Sequence, residues 1–166
     1  MRIETFNDAS REEAVAAIKP CLDIARWIDA VVDARPYADI ETLLQHARIA
    51  AEPFTQAEID GALAHHPRIG ERARGSGAEA RFSSAEQAGL GASSLDIEQA
   101  LRQGNLDYER KFGRVFLIRA AGRDRAGILG ELHRRMRNDT ATELREVAGQ
   151  LREIALGRLR ATFDPG

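Results

Sequence analysis

TATELREVAGQLREIALGRLRATF, residues 140–163, is the stretch that decides the fold class. Leu144, Leu151 and Arg158 fall seven apart, and Val147, Ala148, Ile154 and Ala155 complete the same stripe. That recurrence is the signature of an amphipathic helix. One position departs from it. Arg158 occupies the stripe that faces a core, whereas Arg160, about 200° further round at 3.6 residues per turn, reads as solvated. An arginine on a buried stripe has an anionic or carbonyl partner. A side chain snorkelling near the helix end meets that requirement, and so does a ligand contact.

Helical periodicity continues towards the N-terminus. A helix is expected near Asp124–Arg137, after Gly122 and before Asn138-Asp139. Val115-Phe116-Leu117-Ile118 is the one extended run, too short to imply a sheet. Helices near Leu95–Gln103 and Leu106–Phe112 are expected to end at Gly104 and Gly113. Three pairs read as capping boxes: Ser10 with Glu13, Thr55 with Glu58, and Ser83 with Glu86. The first opens a short helix running towards Pro20, and the second a helix through Ile59, Ala62 and Leu63. That helix stops near His66, because Pro67 disfavours helical geometry in the residue before it. Two further helices are expected, near Leu22–Ala34 and on the stripe Ile40, Leu43, Leu44, Ala47, Ala50. Gly70–Ala80 lacks periodicity and reads as a loop. The expectation is an all-α, single-domain bundle of about eight helices over residues 1–166, with one short extended segment.

Composition narrows the function. The chain of 166 residues is 43% hydrophobic and 30% charged, with a formal net charge of −2. Arginines are interleaved with acids, so no basic face for nucleic acid or an anionic membrane is expected. Cys21 is the single cysteine, which rules out an internal disulfide and a cysteine-based zinc site. No apolar run approaches the ~18 residues of a membrane span, and Met1–Lys19 lacks the pattern of a signal peptide. A cytoplasmic location is expected.

His66 lies seven residues beyond Ile59, on the inward side of its helix. Taken alone it reads first as a core histidine satisfied by a backbone carbonyl. Pro67, however, holds it extended at a helix end, where a side chain can be aimed into a cavity. Imidazole, with an unperturbed pKa of ~6.5, also suits proton transfer near neutrality. His65 and His66 are adjacent and diverge, and no HxH, HxxxH or HExxH spacing occurs. Neither a metal nor a cofactor is expected. Ser83-Ser84-Ala85-Glu86-Gln87 reads as a polar set at a helix mouth, where free N–H groups receive an anion.

Four blocks, in order, resemble one family. They are His66-Pro67-Arg68-Ile69-Gly70-Glu71, Ser83-x-x-Glu86-Gln87, Tyr108-Glu109-x-Lys111-Phe112-Gly113-x-x-Phe116 and Glu153-Ile154-x-x-x-Arg158-Leu159. Together with Trp27 and Arg35-Pro36-Tyr37, they resemble 2-oxo-4-hydroxy-4-carboxy-5-ureidoimidazoline (OHCU) decarboxylases across nearly the whole chain. The resemblance implies an all-helical fold, usually a homodimer, that converts OHCU to (S)-allantoin and CO2 in urate degradation. It further implies His66 as the catalytic residue, and Glu86 is expected to join it in catalysis by orienting His66 and the C4 hydroxyl. Pro67, Ser83, Glu86, Gln87 and Arg158 are then substrate contacts, joined by the backbone around Ile118, Arg119 and Ala120. Tyr108, Lys111 and Phe112 fall to structural roles.

Two rival readings make different demands. A helical adaptor docking a partner helix in an apolar groove would leave the inward Arg158 unexplained. A metal-dependent hydrolase would need His65, His66 and Glu71 to converge.

Overall fold

The computed structural model describes residues 1–64, 66–71, 77–91 and 94–163. Among them are nine helices and no strand: α1 Ile3–Asp8, α2 Arg11–Ile18, α3 Ala25–Asp33, α4 Ile40–Ile49, α5 Gln56–Leu63, α6 Ala78–Ala88, α7 Leu95–Phe112, α8 Arg125–Arg135 and α9 Thr140–Phe163. The all-α expectation holds. Sequence reasoning missed α1, and none of these helices is long and apolar enough to cross a membrane. The chain forms two compact units, residues 1–62 with those from Leu151 onward, and Leu63–Gln150.

In the first unit, the Ser10–Glu13 box forms in full: Ser10 Oγ accepts from the Glu13 N–H, and the Glu13 carboxylate accepts from the Ser10 N–H. Thr55 and Glu58 exchange the same two bonds at the mouth of α5. Phe6, Ile18, Trp27, Val31, Leu43, Ile59, Leu151 and Leu159 are all buried. Polar tips inside this unit find backbone partners. Trp27 Nε1 donates to Ala47 O at 3.0 Å, and Tyr37 Oη donates to Val31 O at 2.7 Å. Arg35 Nη1 donates to the carbonyls of Phe6 and Ala9. The Trp27 and Arg35-Pro36-Tyr37 signature therefore organises structure here.

In the second unit, Leu101, Tyr108, Phe112, Phe116, Ile118, Ile128 and Leu132 form one apolar core with Ile69, Leu90 and Ala120. α7 is continuous where two helices were expected. Gly104 is a packing residue rather than a stop: a Cβ there would lie 2.9 Å from Leu132 Cδ2 on α8. Gly113, with φ of 71°, is the true C-cap in the left-handed conformation. The 115–118 run belongs to neither a helix nor a strand. α6 begins at Ala78, with Gly77 as its N-cap. Good helix formers at Ala78, Glu79 and Ala80 carry the helix past the expected start, so the Ser83–Glu86 capping box does not exist.

Candidate active site

His66 follows α5 after Ala64 and a residue outside the described set, and its N–H donates to Leu63 O at 3.0 Å. Its side chain is half-buried, as is that of Pro67. The turn beyond is tied down from two helices. Arg68 forms a two-pronged pair with Glu109 of α7, Nε to Oε1 at 2.5 Å and Nη2 to Oε2 at 2.8 Å. Asn105, one turn earlier on α7, donates from Nδ2 to Ile69 O at 3.3 Å. Gln87 of α6 accepts the Gly70 N–H at 3.0 Å and donates to Glu71 O at 3.4 Å. Gly70 takes φ of 88°, which only glycine adopts without strain.

Ser83, Glu86 and Gln87 share one face of α6 at positions i, i+3 and i+4. Ser83 is 4% exposed, and the other two are half-buried. They lie in the second half of the helix. The backbone N–H groups around them belong to the helix ladder, so the anion-receiving helix mouth expected here is overturned. Any ligand contact must come from the side chains. Gln87 commits one N–H and one lone pair to the 70–71 turn, which leaves one of each.

The backbone at 117–120 is held with equal care. Arg135 Nη1 donates to Leu117 O at 2.7 Å, and the Arg119 N–H donates to Gln150 Oε1 at 2.7 Å. The Ala120 carbonyl accepts from the Arg123 N–H. Ile118 and Ala120 are buried, and the Arg119 side chain is exposed. Arg158 belongs to the first unit. It is 3% exposed, as its place on the stripe requires, and Nη1 donates to Pro20 O at 3.3 Å. His65 and residues 72–76 lie outside the described residues, and with them the His65–His66–Glu71 alternative and five of the eleven residues of the expected 70–80 loop, whose last three, Ala78 to Ala80, open α6 instead.

A cavity of about 340 Å³ opens beside this turn, lined by Arg68, Gly70, Glu71, Leu101, Arg102 and Asn105 among others. His66, Ser83 and Glu86 do not line it.

Charge effects follow the same pattern. The Arg68 guanidinium holds the Glu109 carboxyl below the usual carboxylate range, while Glu109, and then Glu71, raise Arg68. Burial, reinforced by Glu143, pushes the Tyr108 hydroxyl up. Tyr108 and Lys111 both hold structure together: Tyr108 bonds Glu143, and Lys111 Nζ donates to the carbonyls of Met136 and Asn138. Sequence reasoning missed Asn105, Arg135 and Glu143. Glu143 carried a readable signal, because it lies on the Val147–Leu151 stripe, four residues before Val147, much as Arg158 does.

The model of the OHCU decarboxylase family matches residues 7–160. The chain belongs to that family. OHCU decarboxylases are carboxy-lyases, which makes this protein an enzyme of the carbon–carbon lyase class. The 2-oxo-4-hydroxy-4-carboxy-5-ureidoimidazoline decarboxylase of Mus musculus is 33% identical over 132 residues, covering 78% of this chain and 74% of its own length. The uric acid degradation bifunctional protein of Bacillus sp. (strain TB-90) is 25% identical over 100% of this chain, which matches 33% of that longer protein. A crystal structure of OHCU decarboxylase in the presence of (S)-allantoin shares the fold, with a TM-score of 0.72 at 24% identity over 93% of this chain and 99% of that one.

Proposed function

We propose that this OHCU decarboxylase family member converts OHCU to (S)-allantoin and CO2 in urate degradation, without metal or cofactor, with His66 as the acid–base group. The observation that carries the reading is the family match over residues 7–160. The tightly held turn that begins at His66 agrees with it.

The substrate's own chemistry removes the need for an electron sink. Its carboxylate is attached to a carbon next to a C=N bond. When CO2 departs, the electron pair of the broken C–C bond moves into that C=N system. His66 handles the proton of the C4 hydroxyl, and Glu86 orients that pair. Arg158, Ser83, Pro67, the remaining valences of Gln87 and the backbone around Ile118, Arg119 and Ala120 hold the ring and ureido groups. The enol-like intermediate is then protonated on one face, which demands fixed geometry and a water-poor setting. A positioned acid–base group contributes about 10²–10⁴-fold. The resemblance further implies a homodimer, which sedimentation would read directly.

The test generates OHCU in place from urate and follows allantoin by circular dichroism. Accumulation of the (S) enantiomer, undiminished after chelator treatment, supports the reading. Racemic allantoin at the spontaneous rate would contradict it, and loss of activity on chelation would restore the metal alternative.

A further inference from the structure

Among the residues of the quoted motifs that the proposed mechanism leaves without a role are Arg68, two residues past His66, and Glu109, next to Tyr108. We propose that Arg68 and Glu109 form a positioning pair that sets where the His66 imidazole sits for proton transfer. This inference rests on the acid–base reading of His66 given above.

The geometry supports it in three steps. First, the lever is short and stiff. Only Pro67 separates Arg68 from His66, and its ring locks its own φ, removing one of the backbone torsions between them. On the other side, the His66 N–H is tied to Leu63 O. Second, the fork is directional. Two parallel N–H···O bonds between a guanidinium and a carboxylate specify orientation as well as distance, and here both are short, at 2.5 and 2.8 Å. Third, the platform is rigid. Glu109 follows Tyr108, a residue with no exposed surface whose hydroxyl bonds the buried Glu143. Asn105 grips Ile69 O from the same face of α7 one turn away.

The pair is poorly suited to stabilising the fold. The Arg68 side chain is 40% exposed and that of Glu109 is 22% exposed, and pairs in such settings add little to global stability. What the pair does fix is position. Reacting groups misplaced by about 1 Å cost on the order of 10²-fold in rate. Breaking the pair should therefore change turnover while leaving the fold intact.

The experiment compares wild type with Arg68→Met, Glu109→Gln, the double variant, and Asp29→Asn, which breaks an exposed pair elsewhere. Steady-state constants, thermal midpoints and the ring ¹⁵N signals of His66 are measured, the last assigned by their loss in His66→Asn. The pair predicts that kcat falls about 10–100-fold in each single variant. KM should stay within about threefold, and the midpoint should move no more than in Asp29→Asn. The double variant should be no slower than the slower single one, since two residues acting as a unit are non-additive. The His66 ring signals should shift in both single variants. Near-wild-type kcat in the single variants, losses that multiply in the double variant, or unmoved ring signals would each overturn the pair. A wild-type enzyme inert towards OHCU would instead overturn the proposed function, and the ring signals would still decide the pair.

Discussion

The Tyr108 hydroxyl donates to Glu143 Oε1 at 2.5 Å, and Arg135 donates to that same oxygen from Nε and Nη2. All three side chains are at most 1% exposed. Asn138 Nδ2 takes the second carboxylate oxygen at 2.9 Å. The Arg135 guanidinium also lies over the Phe116 ring at 4.6 Å and holds Leu117 O. One buried charge network thus ties α7, α8 and α9 to the segment before Ile118.

Removing one partner strands the other without water. Arg135→Met leaves the Glu143 carboxylate uncompensated, and Glu143→Ala leaves the guanidinium with only the more distant Glu146 carboxylate, 3.8 Å from its Nε. Each should cost roughly 3–5 kcal/mol in urea unfolding. A loss below about 1 kcal/mol in either variant would contradict the network.

Gly104→Ala sets two effects against each other. Alanine gains about 1 kcal/mol of helix propensity, but its Cβ meets the buried Leu132 at 2.9 Å, and overpacking costs typically 1–3 kcal/mol. A net loss is expected. Gly149→Ala on α9, where a Cβ meets nothing within 4 Å, should gain up to about 1 kcal/mol. Thermal midpoints moving in opposite directions check the pair of variants together.

Acid should weaken both units through named carboxylates. The Arg26 hydrogen bonds hold Glu58 down at about 2, and those of Arg134 hold Glu146 at about 2. Both groups ionise more readily folded than unfolded, where the value is near 4.3. Their stabilisation is therefore complete above that value and lost as pH falls towards about 2. Each is worth roughly 1 kcal/mol, because the partner arginines are 50% and 44% exposed and screened. Thermal midpoints measured from about pH 6 to pH 2 should fall less steeply in Glu58→Gln and Glu146→Gln. Unchanged slopes would contradict the assignment.

Arg158→Lys should raise KM at least about tenfold with a smaller change in kcat, because an ammonium cannot reproduce a planar fork. A KM within twofold of wild type would remove Arg158 from substrate binding.

Local patterns were legible where local forces decide. The stripe of α9 gave its bounds, placed Arg158 inward and Arg160 outward, and the bounds match the observed Thr140–Phe163. Ser10–Glu13 and Thr55–Glu58 cap as read, because their partners lie three residues apart. Gly104 misled because its cause is tertiary: Leu132, distant in sequence, needs the missing Cβ. Ser83–Glu86 misled because the helix starts further upstream, so the same i, i+3 spacing is a helix face instead of a cap. Of the site, the residue types and motifs were readable. The ties of Arg68, Asn105 and Gln87 around the His66 turn were not, since each joins segments separated by 16 to 41 residues.

In the proposed mechanism one imidazole, His66, handles the proton of the C4 hydroxyl as CO2 leaves. The most direct measurement of this is the initial rate of (S)-allantoin formation, by circular dichroism on OHCU generated in place, for wild type and a folded His66→Asn variant. The account predicts a loss of about 10²–10⁴-fold, down to the racemic background. An unchanged rate of (S)-allantoin formation in His66→Asn would contradict it.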